Sequence, residues 1–183
     1  MIQIETARLL LQSPHIDLLP MLLDYHQRNR AHFAHWSPVV DEADMENYYT
    51  RQITRYQKHS EEGTALALFL FGKNNPQKII GDINLSNVVR GVFQSCNMGY
   101  RLDEHAQGKG YMREALQRTV QYAFDEMKLH RIEANIMPHN VRSIKLITAV
   151  GFEEEGLAKK YLKINGKWQD HFHYVMLNAK MEE

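Results

Sequence analysis

The segment Gln107-Gly108-Lys109-Gly110-Tyr111-Met112 limits the folds open to this chain, because it joins two runs of different period. The run before it, Phe93–Leu102, reads as a strand. The run after it, Gly110–Met127, carries apolar residues at 112, 115, 116, 120, 123, 124 and 127, close to helical spacing. Glycines let the backbone turn tightly and approach a ligand, and a helix N-terminus offers unpaired N–H groups to an anion. The segment is therefore a candidate pyrophosphate cradle, with a plain strand-to-helix connector as the alternative. Two familiar nucleotide motifs do not fit. A dinucleotide fingerprint needs a third glycine where Arg113 stands, and a P-loop needs Ser or Thr where Gly110 follows Lys109.

The rest of the chain interleaves both periods. Ile2–Leu11 reads as a strand, Asp17 as the cap of a helix to about Gln27, and Asp41 as the cap of a second helix to about Lys58. Between them Asn29–Val40 is a connection rich in aromatic residues. Ala65–Phe71 and Lys78–Leu85 read as a hairpin, and Arg131–Met137 alternates, with Ile132, Ala134 and Ile136 on one face. Asn140–Val150 reads as a helix ended by Gly151, and two last strands flank Asn165-Gly166, a strong hairpin turn. With no repeat or linker, the order predicts one α+β domain over 1–183.

Bulk properties remove several functions. Lys plus Arg and Asp plus Glu both number 22, which argues against broad neutralisation of nucleic-acid phosphates and leaves room only for a local basic patch. One cysteine, Cys96, rules out an internal disulfide and fits a reducing compartment. The first residues lack a signal-peptide pattern, and the apolar run Ala65–Phe71 is too short to span a bilayer, so a cytoplasmic protein is expected. His130, His139 and His171 are candidate proton relays, each with a structural histidine as the alternative; they lack ligand spacing with Cys96, so no metal site is expected.

The segment from Gly99 to Phe152 resembles the core of the GNAT superfamily of N-acetyltransferases. Gln107 and Gly110 match its Gln/Arg-x-x-Gly-x-Gly/Ala signature, with Met112 in place of the final small residue. Asn140-Val141-Arg142-Ser143 and Gly151-Phe152 resemble its Asn-x-x-Ser helix and Gly-Phe terminus. The closest likeness within it is to the RimJ/RimL group, which acetylates N-termini of ribosomal proteins. It is carried by Ser86–Gly91, His130-Arg131-Ile132, Met137–Asn140, Asn165–His171, Asn29-Arg30 and Trp36-Ser37-Pro38.

That resemblance implies a mixed, largely antiparallel twisted sheet with helices on both faces, and acetyl-CoA as co-substrate. It implies that the pantetheine arm bonds the exposed backbone of Tyr100, Arg101 and Leu102, while N–H groups from Gln107, Gly108, Lys109, Gly110, Tyr111 and Met112 hold the pyrophosphate. Asn140 would contact the pantetheine amide, besides the helix-cap role that asparagine performs well. Arg142 and Lys145 would reach the 3′-phosphate. Ser143 matches the serine that assists the departing thiolate, and a backbone N–H near Met98–Tyr100 would polarise the thioester carbonyl. Phe33–Trp36 and the Asn165 hairpin would line the acceptor side.

The base is missing from its expected places. Three positions where relatives carry a glutamate hold Leu162, Asn97 and Asn135 here. Glu133 and Asp170 remain as candidates to meet the substrate amine, each with a structural alternative, an exposed carboxylate and a strand-neighbour pair respectively. An α-amine has a pKa near 7.7–8.0 against about 10.4 for lysine, so neutralising lysine costs roughly 3.5 kcal/mol more. A chain lacking a strong base is thus expected to acetylate a protein N-terminus; the resemblance implies that of a ribosomal protein beginning with alanine. The alternatives are a small-molecule amine, such as a polyamine or antibiotic, or a non-catalytic acetyl-CoA-binding or ribosome-assembly factor.

Overall fold

The computed structural model describes residues 2–181. An eight-stranded sheet runs in the order β1-β2-β3-β4-β5-β6-β8-β7. The strands are β1 (Gln3–Glu5), β2 (Leu9–Gln12), β3 (Leu66–Gly72), β4 (Asn75–Val89), β5 (Ser95–Leu102), β6 (Arg131–Ile136), β7 (Glu153–Ile164) and β8 (Lys167–Leu177). All neighbours are antiparallel except β5 and β6, which run parallel. A parallel pair requires a long crossover, and the helix α4 (Tyr111–Asp125) supplies it.

Strand alternation divides the apolar residues between two faces. In β3, Leu66, Leu68 and Leu70 face the helices α4 and α5 (Val141–Val150), where Ala115, Leu116, Ala123 and Ile147 are wholly buried. Burying a side chain such as Leu116 stabilises by about 1.5–3 kcal/mol. Phe69 and Phe71 point the other way, to Tyr25 of α1 (Leu19–Arg28) and to Tyr49 and Ile53 of α3 (Met45–Glu61). The expected α+β sheet with helices on both faces is what forms.

The ends of α5 follow from its sequence. Asn140 Oδ1 accepts the Ser143 N–H at 3.2 Å, and Gly151 takes φ +115° while its N–H reaches the Ile147 carbonyl at 3.2 Å. Glycine adopts that conformation without the clash a Cβ brings.

Three expectations change. Ile2–Leu11 is not one strand: Thr6 turns the chain, its N–H donating to the Leu9 carbonyl at 3.0 Å and its Oγ1 accepting the Leu9 N–H at 2.9 Å. Asp17 does not cap α1, because a single 3-10 turn, Ile16–Leu18, precedes it and His15 Nδ1 accepts the Asp17 N–H. The aromatic connection also contains a short helix, α2 (Arg30–Phe33).

Candidate active site

The strands β5 and β6 pair only from Ser95–Asn97 to Arg131–Glu133. Beyond Asn97, β5 stays bonded to β4 and β6 to β8, but the two part from each other. The backbone edge of Met98–Leu102 that faces β6 thus has no strand partner among the described residues, and its donors and acceptors are free for water or a ligand. A cleft of about 460 Å³ opens there. Tyr100, Arg101 and Leu102 form one wall and Asn140, Arg142 and Ser143 the other, with the glycine segment across the end.

The glycine segment is held open from outside. Gly108 and Gly110 have φ of +76° and +77°, and Gly110 begins α4 with no side-chain cap on the first N–H groups. Arg8 donates to the Lys109 carbonyl at 2.8 Å and pairs with Glu114 at 2.7 Å, while its guanidinium lies 4.7 Å from the Tyr111 ring centre. Glu114 also accepts the Arg8 N–H at 2.8 Å and the Thr6 hydroxyl at 2.5 Å. The turn between β1 and β2, absent from the sequence reading, therefore braces the loop. Gln107 bonds His32 of α2 at 2.8 Å. Lys109 is not among the cleft-lining residues; its Nζ donates to the His105 carbonyl at 3.0 Å. Lys145 is exposed and outside the lining as well, whereas Arg142 is in it.

A second cavity of about 350 Å³ meets the first at Trp36, Tyr100, Arg101, Asn140 and Ser143. Here the Tyr100 hydroxyl and Ser143 Oγ lie 2.6 Å apart. Burial pushes the Tyr100 phenol up to about 12, with the bond to Ser143 pulling it slightly down. The phenol therefore keeps its proton at neutral pH and can donate to Ser143, leaving the serine O–H for another acceptor. The two residues are 43 positions apart in the chain, and no local signal in the sequence pairs their hydroxyls.

The second cavity is roofed by the connection after α2. Trp36 stacks on His139 at 5.6 Å, and Asn165 at the β7–β8 turn donates to the Ala34 carbonyl at 2.9 Å and accepts the Val39 N–H at 3.3 Å. Leu162, Ile164, Asn135 and His171 line the cavity. Glu133 lies in neither lining. It pairs with Arg131 and with His173, both at 3.2 Å, and Arg131 also holds Glu155. Asp170 accepts the Lys160 N–H at 2.7 Å, steadying the irregular stretch between Ala158 and Leu162 where Lys160 takes φ +50°. Both candidate carboxylates thus have structural partners. Cys96 is buried, and burial pushes its thiol up to about 12, so it stays protonated and unreactive.

A strand pair that parts beside a glycine-to-helix loop, with a serine hydroxyl where two cavities meet, is the arrangement of an acyl-CoA-dependent transferase. Residues 8–153 match the family model for the acetyltransferase (GNAT) domain, and the chain belongs to that family. It is an N-acetyltransferase with acetyl-CoA as the acetyl donor. Among curated proteins it is 40% identical over 173 residues to the ribosomal protein uS5-alanine N-acetyltransferase of Escherichia coli (strain K12), covering 93% of this chain and 88% of that one. The crystal structure of the ribosomal-protein-S5-alanine acetyltransferase from Vibrio fischeri matches with a TM-score of 0.92 and 33% identity, each chain fully covered. Mycobacterium smegmatis RimJ, in complex with CoA-disulfide, shares the fold at a TM-score of 0.87 and 23% identity, over 96% of this chain and 84% of that one.

Proposed function

We propose that this chain moves the acetyl group of acetyl-CoA onto the N-terminal α-amine of a ribosomal protein beginning with alanine, acting as one domain over 1–183 in the cytoplasm. The observation that carries the acceptor class is the lining of the second cavity: among the described residues it contains no Asp or Glu. A polyamine or a lysine side chain is cationic at neutral pH and calls for carboxylates, whereas an α-amine with a pKa near 7.7–8.0 is partly neutral already. The activity carried by the 40%-identical relative supports alanine as the first residue.

In this reading the N–H groups of Gln107–Met112 hold the pyrophosphate, aided by the first turn of α4. The open edge of Tyr100–Leu102 bonds the pantetheine arm, Asn140 meets its amide, and Arg142 takes the 3′-phosphate in place of Lys145. The amine attacks the thioester carbonyl, and a backbone N–H near Met98–Tyr100 stabilises the charge that develops on oxygen. As the carbon–sulfur bond breaks, Ser143 donates to the thiolate with Tyr100 behind it.

Peptides beginning with alanine, free or N-terminally blocked and each containing one lysine, test the acceptor when incubated with acetyl-CoA and read by mass. One acetyl group on the free N-terminus is expected, and equal acetylation of lysine in the blocked peptide would sink the proposal. Ser143→Ala should lower turnover on the order of 100-fold while acetyl-CoA affinity stays within about twofold. A chain that binds acetyl-CoA but never acetylates a peptide or a polyamine is a binding factor instead.

A further inference from the structure

The amine must lose a proton, and the cavity that receives it offers no carboxylate among the described residues. One nitrogen base does line it. His171 of β8 is 3% exposed, and its Nδ1 lies 3.1 Å from the Gln169 carbonyl oxygen. A carbonyl can only accept, so Nδ1 carries the hydrogen, and the neutral ring must then hold its lone pair on Nε2. Nε2 has no hydrogen-bond partner among the described residues. The ring sits against Tyr161, edge to face at 5.7 Å, which limits its rotation.

A second observation points to an amine in the same place. Asn135 lines this cavity, and its Oδ1 is buried without a hydrogen-bond partner. A buried acceptor left alone is costly, so the site favours a ligand that donates. Asn135 pairs with His173 across β6 and β8, which makes it a diagonal neighbour of His171 on one sheet face. Ser143 of α5 and Tyr100 of β5 line the same cavity, their hydroxyls 2.6 Å apart.

We propose that His171 Nε2 is the catalytic proton acceptor for the incoming amine, with Asn135 Oδ1 accepting a second N–H and fixing its approach. This rests on the reading that the acceptor amine enters the second cavity. The nitrogen lone pair forms the new bond to the acetyl carbon, and the proton so acidified passes to Nε2. The carbon–sulfur bond breaks and the thiolate takes a proton from the Ser143–Tyr100 pair. His171 then releases its proton to water and the hydroxyl pair regains one, so the products are the acetamide and free coenzyme A.

The surroundings keep the ring ready. Burial holds the imidazole below its ordinary pKa, with His173 and His139 acting in the same direction. The Gln169 carbonyl and Asp170 oppose them, and Tyr161 faces the ring from β7. A lowered pKa leaves Nε2 unprotonated at neutral pH, and activity falls as the pH drops through a value under about 6.5.

The test compares His171→Asn, whose amide can keep the bond to Gln169, with His171→Ala. The readout is kcat/KM against pH, alongside acetyl-CoA affinity and melting temperature. Expected are a loss on the order of 100-fold at neutral pH, disappearance of the acid limb below about 6.5 with the amine limb near 7.7–8.0 retained, and partial rescue of His171→Ala by added imidazole. A His171→Asn variant that keeps the acid limb, or stays within about threefold of wild type, overturns the proposal. So does a loss explained by lower melting temperature and weaker acetyl-CoA binding in both variants. Should the wild-type enzyme accept another amine and not alanine peptides, the profile is run with that amine; the acceptor assignment then fails while this proposal is still decided.

Discussion

Asp82→Ala should lower the unfolding free energy by about 3–5 kcal/mol, the loss seen when one partner of a buried ion pair is removed. Asp82 is 6% exposed and takes three contacts from Arg101, at 3.0, 3.1 and 3.3 Å, and one from the Tyr25 hydroxyl at 3.0 Å. Without it, a guanidinium and a wholly buried phenol lose their shared acceptor. Arg101 has no neutral form to retreat to. Burial opposes its charge, but Asp82 foremost outweighs that and raises its pKa further. Because Arg101 lines both cavities, the damage should also weaken acetyl-CoA binding. Thermal unfolding is the check, with a fall in Tm on the order of 10 °C expected for a chain of this length. A fall of under about 1 kcal/mol would mean that water replaces the carboxylate adequately.

Gly110→Val should reduce acetyl-CoA affinity on the order of 100-fold, about 2.7 kcal/mol. The backbone at Gly110 lies at φ +77°, a region that costs an L-residue roughly 1–2 kcal/mol and a β-branched one more. A Cβ there also meets Arg8 Nη2 at 3.3 Å, the guanidinium that braces the loop. Gly108 provides an internal comparison, since its φ is +76° but a Cβ meets nothing within 4 Å. Gly108→Ala should therefore show only the strain, roughly a tenfold loss. Titration calorimetry with coenzyme A measures both, and equal losses would refute the assigned role of the Arg8 brace.

Much of this was legible in the chain itself, wherever a local rule applied. The apolar positions 112, 115, 116, 120 and 123 of α4 form its buried or core-facing side, Asn140 caps α5, and Asn165-Gly166 turns β7 into β8. The β1–β2 turn does leave a sign in the chain: apolar residues at 2 and 4 change phase to 9 and 11, which one straight strand cannot place on one face. Other features depended on distant contacts. Tyr100 and Ser143 stand 43 residues apart, and nothing local brings their hydroxyls together. Of three histidines with equal standing in the sequence, burial and cavity position single out His171, while His139 is exposed and stacks on Trp36. Glu133 and Asp170 are candidates by residue type, and only the structure shows that Arg131 and the Lys160 backbone engage them.

The short pairing of β5 with β6 has a thermodynamic side. A sheet stitched across its middle at three residue pairs is left with backbone groups that a third, extended chain can satisfy. In the proposed pose the acetyl donor is that chain, so it serves as a ninth member of the sheet during each turnover. Folding and loading are then linked: donor at a hundred times its Kd adds about 2.7 kcal/mol to the stability of the loaded form. The supply of acetyl-CoA would thus govern how long the protein itself survives unfolding and proteolysis, in addition to how fast it works.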